Sequence, residues 1–272
     1  QTKELILKGK VLHIAADESL LNQLPKGKWI GGTTPYFITE NGGITSKDKL
    51  FVNELVYAVE CKSEIYDKNN MFDVTKDAYQ NGISLLVMPF ASEVASFYAK
   101  EAPNSDDLLM NPIVGWISGY DLSTGSKAKV YDGFNGVSYA DKAVALHISL
   151  PDDKMASISL VNIFSIDEND SKIEFTEDSL SATKCLVNGK EVMLADYIAE
   201  NNIDTQLPLV ADYNGVLINV SIKSVSYENK TVDFYAPVFA GKEYRFARSV
   251  SNYAASFNEH LQYFKGVKPV FS

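Results

Sequence analysis

The sequence predicts an α/β (α+β) protein built from mixed β-sheets with flanking helices. In the first half, strand-length apolar runs such as "ISLLVMPF" at 83–90 alternate with short helical patterns such as residues 91–103. In the second half, closely spaced turn signals divide residues 207–250 into alternating segments, which is typical of a β-meander. No run approaches the ~18–20 uninterrupted apolar residues that a membrane-spanning helix requires.

Residues 1–155 form the first predicted domain. Its elements are inferred from apolar patterning and from helix start and stop signals. Residues 16–27 predict a short helix, because Asp17 and Glu18 suit a helix amino terminus and Pro25 and Gly27 end it. The other elements are a strand or strand pair at 3–15, a hairpin turn at 40–45, strands at 49–61 and 83–90, helices at 71–82 and 91–103, and strands on either side of a turn at 132–133.

The two tryptophans of the chain, Trp29 and Trp116, both open a Trp-Ile-x-Gly tetrapeptide, "WIGG" and "WISG". Helical and hairpin patterns surround both copies. The spacing of about 87 residues is too long for a solenoid array but suits a duplicated half-domain. We therefore expect an internal duplication in which the two tetrapeptides are equivalent turns.

Residues 156–272 form the second predicted domain, after a boundary near 151–157. "CLVNGKEV" predicts a hairpin, and "MLADYIAENN" predicts a helix that ends at Asn201-Asn202. The β-meander follows, with turns at 214–215, 228–230 and 240–241, and residues 251–264 predict a closing helix.

The formal net charge of −10 disfavours nucleic acid as a partner, because affinity for polyanions depends on clustered lysine and arginine. The two cysteines, Cys61 and Cys185, lie far apart and belong to no metal-binding spacing, so we expect free thiols and no metal site. Nucleotide-binding glycine motifs are absent as well, so no cofactor is expected.

Catalytic motifs are weak. Ser-x-x-Lys occurs three times, but serine and lysine are common enough here for chance to explain that number. No Gly-x-Ser-x-Gly elbow exists, and only His13, His147 and His260 are available as bases. A packing role for His147 is favoured because it lies within the apolar strand "VALHISL". We assign no catalytic residue.

Small-ligand recognition fits the remaining features best. Each tryptophan precedes a tyrosine and a group of hydroxyl or carboxyl side chains, the usual composition of a concave binding site. The only two arginines, Arg245 and Arg248, would suit a carboxylate. The alternative is that the tryptophans anchor cores and the arginines are surface charges. The candidate ligand-binding residues are Trp29, Thr33, Thr34, Tyr36, Trp116, Ser118, Tyr120, Asp121, Arg245 and Arg248.

The order of these motifs resembles the FIST family. "WIGGTTPYFITENGG" is similar to that family's first glycine turn at Gly31, Gly32 and Thr33, and 130–133 match its short hairpin after Gly115 and Gly119. "CLVNGKEVMLADYIAENN", "LPLVADYNG" and "VDFYAPVFAGKEYRFA" are similar to segments of its carboxyl-terminal domain. The resemblance covers roughly residues 20–250. Trp116, Ser118 and the pair Phe239-Ala240 depart from the family pattern.

The FIST resemblance implies a cytoplasmic, non-catalytic sensor of a small polar metabolite such as an amino acid, working with a separate signalling protein. Its pocket is expected between the two Trp-Ile-x-Gly turns and the carboxyl-terminal sheet. Two other classes stay open. One is a hydrolase or transferase with a serine or threonine nucleophile, which needs histidine or lysine within ~3 Å of that hydroxyl in a cleft. The other is a partner-binding module. The oligomeric state is left open.

Overall fold

The computed structural model describes residues 1–39, 42–102, 105, 107–108, 111–158, 162–213, 216–250, 252, 255–256, 258–259 and 262. The described residues divide into two units, one ending at Ile158 and one formed by the residues after it. The mixed α+β class expected from the sequence is confirmed in both. Within the described ranges, no helix has the length and apolar character needed to cross a membrane.

Among the described residues of the amino-terminal unit, the strands form three sheets, and four helices have defined bounds. The strands are β1 (Leu12–Ala16), β2 (Trp29–Thr33), β3 (Tyr36–Thr39), β4 (Gly42–Thr45), β5 (Leu50–Glu54), β6 (Cys61–Tyr66), β7 (Gly82–Pro89), β8 (Ile113–Ser118), β9 (Val130–Asp132), β10 (Val137–Tyr139) and β11 (Ala143–Ser149). The helices are α1 (Thr2–Leu7), α2 (Glu18–Leu21), α3 (Asp73–Lys76) and α4 (Glu93–Glu101).

The two main sheets pack face to face, with helices on their outer faces. One sheet has the order β10-β9-β2-β1-β5 and the other β6-β11-β7-β8, while β3 and β4 form a separate hairpin. Ile30 and Val130 of the first sheet share a core with Val87 and Leu146 of the second. A core against α1 and α2 covers the other side of the first sheet, and a core against α3 and α4 covers the other side of the second.

A short topological unit occurs twice. β1 and β2 are parallel and joined through α2, and β5 pairs antiparallel with β1. In the same way β7 and β8 are parallel and joined through α4, and β11 pairs antiparallel with β7. Both helices begin at a side-chain cap, Asp17 for α2 and Ser92 for α4.

The Trp-Ile-x-Gly tetrapeptides lie in strands and are not turns, which corrects the sequence prediction. "WIGG" lies within β2, and "WIS" ends β8. Their rings also point into different layers. Trp29 belongs to the core beneath α1 and α2, whereas Trp116 packs against the core between the sheets. A glycine-rich segment can form a strand when neighbouring backbone comes close, and Gly31 and Gly115 do so here.

In the described part of the carboxyl-terminal unit, two sheets and one helix of defined bounds surround one core. The larger sheet has the order β15-β14-β12-β20-β16-β17 and the smaller β13-β19-β18. The elements are β12 (Ile173–Glu174), β13 (Ser179–Ala182), β14 (Lys184–Val187), β15 (Lys190–Met193), α5 (Leu194–Glu200), β16 (Leu209–Tyr213), β17 (Val216–Val220), β18 (Ile222–Ser226), β19 (Thr231–Val238) and β20 (Glu243–Phe246). The core includes Phe175, Leu194, Phe234 and Tyr244.

Most sequence-predicted elements are found, with some differences. Residues 3–15 were expected to be strand only, but α1 precedes β1, because Ile6 packs as a helical residue over Trp29 and Leu21. The predicted strand at 49–61 is split into β5 and the start of β6. The turn at 214–215 and most of the closing helix at 251–264, including His260, lie outside the described residues. Both cysteine thiols are free.

Close backbone contact at Gly115 leads to a stability prediction. A Cβ atom there would lie 1.7 Å from the Leu86 carbonyl oxygen of the neighbouring strand, so Gly115→Ala must push β8 away from β7. We expect a loss of about 2 kcal/mol or more in the free energy of unfolding. Urea unfolding followed by tryptophan fluorescence measures it, because both tryptophans belong to this unit.

The matched control is Gly119→Ala, just beyond the end of the same strand. A Cβ atom at Gly119 meets nothing within 4 Å, so the change should stay within about 0.5 kcal/mol. Equal effects of the two substitutions would contradict the strand pairing of β7 and β8.

Candidate functional site

A cleft lies where β1, β2 and β8 end. Asp17 and Glu18 follow β1, Thr33 and Thr34 end and follow β2, and Tyr120 and Asp121 follow β8. Ligands of sheets with parallel strands bind outside the carboxyl ends of those strands. The cavity volume is about 80 Å³ behind an open mouth, so a ligand that fits inside has only a few non-hydrogen atoms. The remaining lining residues are Pro35, Lys47, Thr124, Ser126 and Lys127.

Hydrogen bonds between the two sheets form the floor of this cleft. The Thr33 hydroxyl donates to the Gly119 carbonyl oxygen at 2.6 Å, and the Gly119 amide donates to the Thr33 carbonyl oxygen at 2.7 Å. The Lys129 amide donates in turn to the Thr33 hydroxyl at 2.9 Å. Thr33 therefore holds the ends of β2 and β8 together, and its hydroxyl is already engaged.

The charged lining residues are three carboxylates and two lysines, and Lys129 beside the cleft brings the two signs into balance. Lys47 pairs with Asp121 at 2.6 Å, and Glu18 pairs with Lys129, which lies beside the cleft. Asp17 and Lys127 have no oppositely charged described residue within 4 Å. One Asp17 oxygen accepts from the amide and hydroxyl of Ser19. The cleft thus offers one carboxylate and one ammonium group outside any described ion pair, although Lys47 acts on Asp17 at longer range.

Asp121 is held ionised. A hydrogen bond from Lys47, with further bonds from the Ser123 hydroxyl and amide, lowers the pKa of Asp121 to about 2. The same contact raises the pKa of Lys47. Both groups keep their charges across the physiological pH range, so a change of pH within that range does not break the ion pair.

Four of the ten sequence-predicted residues line this cleft: Thr33, Thr34, Tyr120 and Asp121. Tyr36 lies beside it, and its hydroxyl accepts a hydrogen bond from the Leu122 amide at 3.1 Å. The sequence reasoning missed Asp17, Lys47 and Lys127. No sequence motif marks these three residues. They come together only because the fold brings distant strand ends to one place.

Neither tryptophan forms a wall of the cleft, which corrects the expected aromatic lining. Trp29 is 2% exposed, and its indole nitrogen donates to the Pro25 carbonyl oxygen at 2.8 Å. The indole nitrogen of Trp116 donates to His13 Nε2 at 2.7 Å. Ser118 is fully buried against Gly32. These residues are packed because alternate strand positions point into the cores.

The two arginines lie in the carboxyl-terminal unit and form no joint carboxylate clamp. Arg248 binds Asp167 at 2.9 Å and Asp170 at 2.8 Å. Arg245 lies on β20 with its side chain 11% exposed, and Glu243 is 4.0 Å away. A second groove in this unit is lined by hydroxyls of Ser179, Ser181 and Thr183, and neither arginine lines it.

A buried chain of hydrogen bonds contains the one serine–histidine pair within ~3 Å that we identify among the described residues. Ser84 Oγ lies 2.7 Å from His147 Nδ1, Tyr66 Oη lies 2.9 Å from Nε2, and the Tyr66 hydroxyl donates to Asp77 at 2.8 Å. Because Tyr66 donates to Asp77, it accepts from Nε2–H, and Ser84 therefore donates to Nδ1. Ser84 is 1% exposed and lines neither cleft, so it does not meet the requirement for a nucleophile.

The buried histidines predict an acid-sensitive unit. Burial lowers the pKa of His13 and His147 to about 4, with Lys62 adding to the effect at His147. Unfolding restores a histidine pKa near 6.5, so between about pH 6.5 and pH 4 these histidines bind protons in the unfolded chain but not in the folded chain. Below pH 6.5, each histidine should remove about 1.4 kcal/mol of stability per pH unit, down to about pH 4.

Urea unfolding at pH 7.5, 6 and 5, followed by tryptophan fluorescence, measures how the free energy of unfolding changes with pH. These pH values lie above the pKa of an ordinary carboxyl group. The comparison is His147→Gln, which should unfold more easily at every pH but lose about half of the pH dependence. An unchanged slope in His147→Gln would show that His147 is not a buried neutral group.

These features define a class: a two-unit α+β protein with a charge-balanced cleft at the carboxyl ends of parallel strands. The chain belongs to a family of unknown function, DUF6976, whose model matches residues 1–272. No curated protein and no solved structure matches it significantly. The resemblance to the FIST family stays a prediction. Among the described residues, no group of three or more histidine, cysteine, aspartate or glutamate side chains is arranged to hold a metal.

Proposed function

We propose that the chain binds a small zwitterionic metabolite, such as a free amino acid, in the cleft at the ends of β1, β2 and β8. The observation that supports this most is that Asp17 and Lys127, two opposite charges outside any described ion pair, line one small cleft. A zwitterion would neutralise both at once, whereas a simple anion or cation would leave one of them unpaired.

The surrounding groups suit the same ligand. Thr34, Thr124 and Ser126 supply hydroxyl oxygens to the lining, and Tyr120 supplies one aromatic face. Because Thr124 donates to the Asp121 carbonyl oxygen and Thr34 to that of Tyr36, these two hydroxyls are offered to a ligand as acceptors. Asp121 and Lys47 add a neutral ion pair, so the lining as a whole carries no large excess of either charge. A polyphosphate or a nucleotide would need a cationic excess that this cleft lacks.

Binding is proposed to proceed without chemical change of the ligand. The lining contains no histidine or cysteine. The Thr33 hydroxyl at the floor already donates to the Gly119 carbonyl oxygen and accepts from the Lys129 amide. We also propose, from the FIST resemblance, a cytoplasmic sensor whose occupancy is read by a separate signalling protein.

A thermal-shift screen tests the proposal. The panel comprises the common amino acids, the matching carboxylic acids without the amine, and the matching amines without the carboxylate. A zwitterion at 100 times its Kd should stabilise the fold by about 2.7 kcal/mol, which is several degrees in Tm. The singly charged analogues should give much smaller shifts at the same concentration.

The variants Lys127→Gln and Asp17→Asn should each weaken the hit about ten-fold or more, because each removes one charge-assisted hydrogen bond. Asparagine caps helices as well as aspartate does, so Asp17→Asn should keep α2 intact. Lys8→Gln, an exposed lysine outside the cleft, is the control. A ligand that binds both cleft variants as tightly as the wild type would contradict the assignment.

A further inference from the structure

The hairpin β3–β4 differs from the other strands around the cleft. Its two strands pair only with each other among the described strands, and none of its residues belongs to a described core. Ile38, near its far end, is 95% exposed. Phe37 and Ile44, which pair across the two strands, are half-buried, and the other described residues of the two strands are exposed. A two-stranded hairpin with so little packing is marginally stable by itself, so its position depends on the contacts at its base.

Both ends of the hairpin contribute to the cleft. Thr34 and Pro35 precede β3, Lys47 follows β4, and all three line the cleft. The Ser46 amide donates to the Pro35 carbonyl oxygen at 2.7 Å, which keeps the two ends together. The two ends are therefore held to each other, so a movement of the hairpin base would change one side of the cleft.

Two contacts join the hairpin to the loop that forms the opposite side of the cleft, residues 120–127. Lys47 pairs with Asp121 at 2.6 Å, and the Leu122 amide donates to the Tyr36 hydroxyl at 3.1 Å. The acceptor, the Asp121 carboxylate, and the donor, the Leu122 amide, belong to consecutive residues of the loop. We refer to these two contacts together as the latch.

We propose that the hairpin β3–β4 is a lid hinged at one side of the cleft, whose base forms that side and is held closed by the latch that Lys47 and Tyr36 form with Asp121 and Leu122. The inference rests on the proposed function, since a lid has a role only if the cleft binds a ligand. When the latch breaks, the hairpin swings about its base at 34–35 and 46–47, and the cleft opens for ligand entry and exit.

The latch suits a reversible closure because both contacts are weak. The Lys47 side chain is half exposed, so its ion pair with Asp121 is screened by salt and adds little to overall stability. Breaking it costs far less than unfolding the unit. The lid therefore opens while the sandwich of sheets stays intact.

Amide hydrogen exchange at Leu122, followed by NMR on the full chain without ligand, tests the latch directly. That amide is protected by the Tyr36 hydroxyl, so it exchanges only when the latch opens. Lys47→Gln should speed its exchange about two- to five-fold, the effect of losing an exposed ion pair. Tyr36→Phe should speed it further, because the acceptor itself is gone.

Lys49→Gln is the matched control, since it removes the same charge two residues further along and forms no described ion pair. Raising the salt concentration to 1 M should speed exchange at Leu122 in the wild type and in Lys49→Gln but leave Lys47→Gln nearly unchanged. Equal exchange at Leu122 in the wild type and both latch variants would overturn the lid.

The same variants also separate failure of the lid from failure of the proposed function. With a zwitterionic hit from the screen, Lys47→Gln and Tyr36→Phe should raise its dissociation rate at least two-fold, measured by stopped-flow fluorescence. If a zwitterion binds but its dissociation rate is the same in both variants as in the wild type, the lid proposal is wrong and the binding site stands. If the zwitterion screen gives no hit, the proposed function fails, and the Leu122 exchange still decides whether the latch exists.

Discussion

The two sheets of the amino-terminal unit are joined by hydrogen bonds where β2 and β8 end, and the cleft of this unit depends on that contact. A Cβ atom at Gly32 would lie 2.8 Å from the Ser118 Cβ and 2.9 Å from a Val87 methyl group, so only glycine fits there. One residue further on, Thr33 and Gly119 exchange two hydrogen bonds. The sheets are therefore joined at these strand ends by backbone contact as well as by apolar packing.

The cleft follows from that contact. Beyond Thr33 and Gly119 the chains diverge, one into the hairpin and the other into the loop at 120–127, and the space between them is the cleft. Its floor is fixed by hydrogen bonds of the Thr33 hydroxyl and of the backbone, while its sides carry charged side chains from the connecting segments. A rigid floor with polar sides is the arrangement in which a few side chains can orient a small ligand.

Apolar patterning and helix stop signals predicted most strands and helices, since these depend on residues close in sequence. β7 was recognised from its continuous apolar run, and the hairpin β14–β15 from its Asn188-Gly189 turn, where both residues have positive φ. Short glycine-rich strands were not recognised. "WIGG" forms a strand only because Ile14 and Tyr131 supply partners on both sides.

The candidate site was predicted in part for a related reason. Thr33, Thr34, Tyr120 and Asp121 share a sequence context, the stretch after each tryptophan, and this context marks the strand ends. Asp17 and Lys47 do not follow a tryptophan or any other motif that would identify them as lining residues. Their place in the cleft depends on β1 lying parallel to β2 and on the hairpin folding back, which are pairings between distant segments. Trp116 was misplaced because one residue of register decides which face of a strand a ring occupies.

The exchange of strands between the two sheets has a consequence for how the unit folds. β6 comes from the first half of the unit but lies in the sheet of β7 and β8, and β9 and β10 come from the second half but complete the sheet of β1 and β2. β9 pairs with β2 across about a hundred residues of chain. Neither sheet can be completed until nearly the whole unit has been synthesised. Contacts this distant in sequence slow folding, so the nascent chain must keep its apolar strands from aggregating until β11 emerges.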